Sequence, residues 1–292
     1  MSTTLQSRAR QHLYRAGVAT TGQLARPTAG LRSLPDYLIV GGQRCGTTSL
    51  HHHLVQHPGV LGARLTKGVH WFDVAYDKPE SWYRGHFPLD RVRQRASDRL
   101  GYRALTGEGS PYYLFHPFVP ARIRDRVPDA KIIVLLRNPV ERAWSAYHHE
   151  RTRGFEPLTF EAALDAEPSR LAGQEPQLAA PNGHSHHHLH HGYVARGRYL
   201  EQLDRVWASF PAEQVLVLFT TDLENDLAGV LGGVHTFLGL PALAPAHDRR
   251  WNKQAKADLE PHLRERLQAA FREPDRCLAE RLDRPLPWTT VP

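Results

Sequence analysis

The sequence predicts an α/β fold: a P-loop-like parallel sheet with helices on both faces, in a single domain. Three almost wholly apolar runs, Tyr37 to Val40, Lys131 to Leu136 and Gln214 to Phe219, read as strands; the first two have the continuity of strands buried on both faces. A helix-start signal follows each within a few residues: Gly46-Thr47-Thr48, Asn138-Pro139 and Asp222. Strands alternating with helices imply βαβ crossovers, and hence a parallel sheet covered on both sides.

Residues 1 to 32 show only a short helical stretch around Ser7 to Arg15 and read as an N-terminal extension, with the domain over 33 to 292. The core is expected to begin at Asp36. Helices are expected at Thr47 to Gln56, Phe118 to Val127, Pro139 to Arg151 and Tyr193 to Phe210, and from an N-cap at Asp222 to about Leu238. A last helix near Leu259 to Leu282 should be broken or kinked by Pro261 and Pro274. Residues 165 to 192 read as a flexible loop, because Pro168, Gly173, Pro176, Pro181 and Gly183 precede the tract His184 to His191. Such a tract can bind Zn²⁺ or Ni²⁺ opportunistically but lacks the oriented ligands of a structural site, so no metal is assigned. His51, His52 and His53 fall within one helix and point in different directions, so at most one should face a site.

The chain has 292 residues, 41 % of them hydrophobic, enough for a sizeable core, and no internal repeat. No apolar run reaches the roughly 18 residues of a membrane span. Arg8, Arg10 and Arg15 are not followed by the apolar stretch of a secretory signal. Cys45 and Cys277 do not make a disulfide framework, which suits a cytoplasmic protein. The net charge of +7 comes largely from arginines scattered over expected helix faces. It fits nucleic acid or an anionic small molecule equally; no nucleic-acid partner is assigned, and the oligomeric state is not readable.

The chemistry lies in the turns. Gly41 to Gly46 has the G-x-x-x-x-G spacing of a nucleotide P-loop, at a strand-to-helix turn that aims amide groups at an anion. Thr47 stands where such a loop places its Lys, and the cation is Arg44 instead. The turn therefore suits a phosphate-like group rather than the β,γ-phosphates and Mg²⁺ of ATP. About ninety residues later, the second strand ends in Arg137 rather than a Mg²⁺-holding Asp. Arginine binds anions directly. Asn138 and Pro139 then suit a helix start, with Ser145 two turns in.

Together these segments resemble the sulfotransferases that use 3′-phosphoadenosine-5′-phosphosulfate, over about Pro35 to Trp288. The likeness is nearest to the branch holding the heparan-sulfate sulfotransferases and their bacterial relatives. It implies that Arg44, Cys45, Gly46, Thr47, Thr48 and Ser49 cradle the 5′-phosphosulfate, and that Arg137 and Ser145 hold the 3′-phosphate. It further implies a product, adenosine 3′,5′-bisphosphate, no metal, and a small-molecule or carbohydrate acceptor. Arg44 would be an electrostatic clamp on the leaving oxygens, since a guanidinium does not give up its proton to act as an acid. Cys45 is either a reactive thiol or the filler of a small slot. Tyr193 and Arg198 are candidate contacts to nucleotide or acceptor, whereas Tyr199, Leu203 and Trp207 read as helical core. Trp251-Asn252-Lys253 could cover the adenine or 3′-phosphate.

The pattern departs at the base. The branch carries Glu-x-His-Phe-Phe-Asp, and Gly68 to Asp73 has Gly68 in place of the Glu. Either His70 takes the acceptor proton with help from Asp73, or Glu108 does; Glu108 could equally be a buried partner of Arg137 or Arg142. A nucleotide or polyanion binder that has lost its base, and a P-loop kinase, are the competing readings.

Overall fold

The computed structural model describes residues 17, 20–64, 66–248 and 258–289. Among these, β1 (Tyr37–Gly41), β2 (Val60–Gly62), β3 (Leu105–Gly109), β4 (Lys131–Leu136) and β5 (Val215–Phe219) form one sheet. Its order is β2-β3-β1-β4-β5, and every pairing is parallel. Tyr37 pairs with Lys131 and Ile39 with Ile133, after which the register slips so that Gly41 meets Val134. The slip falls where the chain leaves β1 for its turn, and Gly42 N is then held by the Leu135 carbonyl at 2.6 Å.

After a helical stretch at residues 20–25 and a 3₁₀ turn, Arg26–Leu31, come α1 (Thr47–Leu54), α2 (Glu80–Arg84), α3 (Asp90–Leu100), α4 (Val119–Arg126), α5 (Pro139–Thr152) and α6 (Phe160–Leu171). They continue with α7 (His186–His190), α8 (Tyr199–Ser209), α9 (Thr220–Asn225), α10 (Leu227–Leu238) and α11 (Pro261–Leu282). Alternation along the strands sorts side chains to two faces. Leu38, Val40, Ile132, Val134 and Leu136 pack with Ile123 of α4, Leu203 of α8 and Leu278 of α11. Tyr37, Ile39, Ile133 and Leu135 pack with Leu50 of α1 and Val234 of α10. A third cluster joins α5, α6 and the start of α11 through Ala143, Phe160 and Leu267.

Several expectations are corrected. Residues 165–192 hold regular structure: α6 runs through Pro168 to Leu171, and α7 buries His188 and His190. Tertiary packing outweighs local propensity there, because Glu167 of α6 accepts the Val194 and Ala195 amides and ties the segment to the chain beyond it. Asp222 lies inside α9; Asp226 caps α10, its Oδ1 accepting from Gly229 N at 2.8 Å. Pro261 is the first residue of α11, where a missing N–H costs nothing, and the helix continues past Pro274. The segment expected as a helix from Tyr193 begins with a 3₁₀ turn, Ala195–Gly197, before α8. Ser7 to Arg15 lies outside the described residues. No helix among the described residues is long and apolar enough to cross a membrane.

Candidate active site

Arg44 (φ 68°) and His70 (φ 57°) adopt left-handed backbone, and Asp283 (φ 49°) is the other such non-glycine residue among those described. Asp283 merely ends α11. Strain of this kind costs about 1–3 kcal/mol per residue and gathers at functional sites. Here it marks the two turns in which sequence places the clamp and the base.

The first turn is held from below. Cys45 N bonds the Gly42 carbonyl at 3.2 Å, and Thr220 Oγ1 donates to the carbonyls of Cys45 (2.7 Å) and Leu136 (2.9 Å). Gly46 is the α1 N-cap with φ 86° and offers no capping side chain, and a helix N-terminus of this kind suits an anion. Thr47 and Ser49 are buried, while Thr48 is half-buried. Cys45 is fully buried with Sγ 3.8 Å from Tyr199 Oη, and burial pushes its thiol pKa up. Its side chain therefore fills a slot, the second of the two roles expected for it.

The second turn meets the first. Arg44 Nε donates to Ser145 Oγ at 3.1 Å, and Arg137 Nη1 lies 3.5 Å from the Arg44 carbonyl. Asn138 caps α5, accepting from the Val140 amide at 2.9 Å. Arg137 also makes a long ion pair with Glu141 (3.9 Å), whose other oxygen takes Arg264 at 2.9 Å. Desolvation and the neighbouring Arg137 charge both disfavour the Arg44 cation, against the raising effect of Glu150. Two guanidiniums this close are the electrostatics of an anion site.

The base segment lies beside the first turn, to which Lys67 Nζ, three residues before His70, ties it through Thr47 Oγ1 at 2.9 Å. His70 Nδ1 lies 2.8 Å from Asp73 Oδ2, and the His70 side chain is 38 % exposed, so Nε2 remains for a substrate. Burial disfavours the imidazolium, but Asp73, joined by the Glu108 charge, outweighs it and holds the His70 pKa above the ordinary value. Glu108 is corrected as a candidate base. It is fully buried, and its oxygens accept from Val69 N (2.7 Å), Ser110 Oγ (2.6 Å), Tyr83 Oη (2.9 Å) and Tyr113 Oη (2.8 Å). Neither Arg137 nor Arg142 is its partner; four neutral donors carry its charge instead. Gly68 is no mere deletion, because a Cβ there would lie 2.6 Å from the Gly109 carbonyl oxygen and 2.9 Å from Ser110 Oγ.

Tyr193 is also corrected: it is fully buried, with Oη donating to Glu156 at 2.8 Å. Arg198 is exposed and pairs with Glu201 at 3.5 Å. Tyr199 and Leu203 are core, as expected. Lys253 lies outside the described residues. His51 and His53 are buried, and burial holds His51 neutral with its pKa near 3. Sequence reasoning passed over Lys67, whose Nζ donates to Thr47 Oγ1 at 2.9 Å. It also passed over Gln43, which links Arg196 (2.6 Å) to the buried Glu150 (3.3 Å) behind the first turn. Among the described residues no group of three or more His, Cys, Asp or Glu could hold a metal ion.

A family model described as "Sulfotransferase domain" matches residues 34–258. Heparan sulfate glucosamine 3-O-sulfotransferase 6 of Mus musculus is 32% identical over 216 residues, covering 72% of this chain and 54% of its own length. Heparan sulfate glucosamine 3-O-sulfotransferase 3B1 of Homo sapiens is 31% identical over 233 residues, covering 77% and 51%. The chain thus spans about half the length of these relatives. A solved sulfotransferase from Alicyclobacillus acidocaldarius is 31% identical with a TM-score of 0.65, covering 87% of this chain and 98% of that one.

Proposed function

The chain belongs to the sulfotransferase domain family, and we propose that it moves a sulfuryl group from 3′-phosphoadenosine-5′-phosphosulfate to a hydroxyl or amine of an acceptor. The observation that carries this reading is the meeting of two distant segments: Arg44 at 3.1 Å from Ser145, with Arg137 against the same turn. One cluster then serves both ends of the donor, with the 5′-phosphosulfate over the α1 N-terminus and the 3′-phosphate on Arg137 and Ser145. No metal is assigned, since Arg137 occupies the strand end where a nucleotide hydrolase would carry an Asp.

In the proposed step the acceptor oxygen attacks sulfur in line with the bridging oxygen. The new S–O bond forms as the old one breaks, and the leaving phosphate takes the electron pair. Arg44 stabilises that charge, which grows only as the bond breaks. The acceptor proton passes to His70 Nε2; Asp73 on Nδ1 sets the tautomer and stabilises the imidazolium that forms.

For the acceptor we propose a carbohydrate or glycoconjugate, by likeness to relatives whose names specify heparan sulfate glucosamine. Unpaired Cys45 and Cys277 fit a reducing, cytoplasmic setting. Gly68 and the saturated Glu108 favour one second reading, a binder without transfer. Labelled donor incubated with the full chain and a carbohydrate panel separates the two. Arg44-dependent transfer to an acceptor supports the enzyme; tight product binding with no transfer to any acceptor favours the binder.

A further inference from the structure

The anion site contains a cation that neither turn supplies. Lys67 follows β2, and its side chain crosses the end of β3, where a Cβ on Gly109 would lie 2.9 Å from Lys67 Cε. Its Nζ reaches Thr47 Oγ1 at 2.9 Å and Thr48 Oγ1 at 3.4 Å, the first two residues of α1. An ammonium has three protons to place, and two hydroxyls are weak partners for a desolvated charge. Among the described residues no carboxylate lies within ion-pair distance of it. Glu108 is near enough to be felt, but four other donors occupy its oxygens. Thr47 is the position at which a nucleotide P-loop carries its lysine; here an ammonium arrives beside that position from a neighbouring segment.

We propose that Lys67 is a third cation of the donor site, beside Arg44 and Arg137, and that it reaches the 5′-phosphosulfate held over Thr47 and Thr48. This rests on the sulfotransferase reading above. A consequence follows for protons. In the free protein desolvation pulls the Lys67 pKa down to about 7; the Glu108 carboxylate raises it and the Arg44 charge lowers it. His51 of α1 and His70 are the other titratable groups that face it, and burial keeps His51 uncharged. An anion laid against a half-neutral amine favours its charged form. Donor binding therefore draws one proton from solvent to Lys67, and the empty site is spared part of the repulsion among three cations.

The test is calorimetric titration of the full chain with adenosine 3′,5′-bisphosphate, in buffers of different ionisation enthalpy. Wild type, Lys67→Met and Lys67→Arg are compared between pH 6.5 and 9. Wild type should take up close to one proton per site near pH 8, with affinity falling about tenfold per pH unit above 7. Lys67→Met should bind about 10- to 100-fold more weakly at pH 6.5 and show only the proton uptake of the nucleotide and of His70. Lys67→Arg should keep wild-type affinity at pH 6.5 and lose the steep decline above it. Equal proton uptake by wild type and Lys67→Met would overturn the assignment. Absence of binding by all three proteins would overturn the donor reading beneath it.

Discussion

Arg44 Nε donates to Ser145 Oγ at 3.1 Å, so the turn after β1 and the second turn of α5 satisfy each other across the cleft. A bound donor would draw on both, with Ser145 at the 3′-phosphate and Arg44 at the bridging oxygen. Because the charge met by Arg44 appears mainly in the transition state, Arg44→Ala should lose about 10²- to 10³-fold in turnover. Its affinity for adenosine 3′,5′-bisphosphate should fall by less than about tenfold. Single-turnover transfer at saturating donor measures the first effect and calorimetry the second; near-normal turnover would leave Arg44 a structural residue.

His70 must be neutral to accept a proton. Asp73 raises its pKa despite burial, so the inactive imidazolium persists to higher pH than in a free histidine, whose pKa is about 6.5. Turnover at saturating donor should therefore rise with pH through a midpoint above 6.5. His70→Ala should lose about 10²- to 10⁴-fold together with that limb. Asp73→Asn should move the limb to lower pH, because the group that raises it is gone. An unchanged pH profile in both variants would remove His70 from the proton path.

Glu108→Gln should act on folding rather than on proton transfer. Gln would set an NH₂ group against four donors that now share a carboxylate, leaving at least one buried donor unpaired. A loss of about 1–3 kcal/mol in unfolding free energy is expected, read by denaturant titration. Whatever turnover remains should keep its rising pH limb, with the midpoint moved lower, because the Glu108 charge also raises the His70 pKa.

Gly68→Glu restores the residue type found in the heparan-sulfate branch, yet it should not raise activity. The new Cβ would stand 2.6 Å from the Gly109 carbonyl oxygen, so the segment from Lys67 to His70 must shift and carry the base with it. Lower thermal stability and lower turnover are the expected outcome. A gain in turnover would mean that the cleft accepts a second carboxylate base.

Much of this was legible from the sequence because it is written locally. β1 and β4 are continuous buried apolar runs, and Asn138 caps α5 through its own side chain. β3 was not legible: Leu-Thr-Gly-Glu-Gly contains two glycines and a carboxylate, and its burial depends on Tyr83 and Tyr113, which only the fold brings to Glu108. Lys67 escaped for the same reason, since its partners are 19 and 20 residues away along the chain. Tyr193 misled in the opposite direction. Its aromatic ring in a motif-like segment reads as a ligand contact, and burial against Tyr147 and Phe160 makes it core.

On the proposed reading the site holds a nucleotide by both its 5′ and 3′ anions. Calorimetry of adenosine 3′,5′-bisphosphate against adenosine 5′-phosphate, in the presence of a chelator, tests it most directly. Arg137 and Ser145 should favour the bisphosphate by at least tenfold, since one charge-assisted hydrogen bond contributes about 1.5–3 kcal/mol. Arg137→Ala should erase most of that difference. Equal affinity for the two nucleotides, or binding that appears only with added Mg²⁺, would contradict the account.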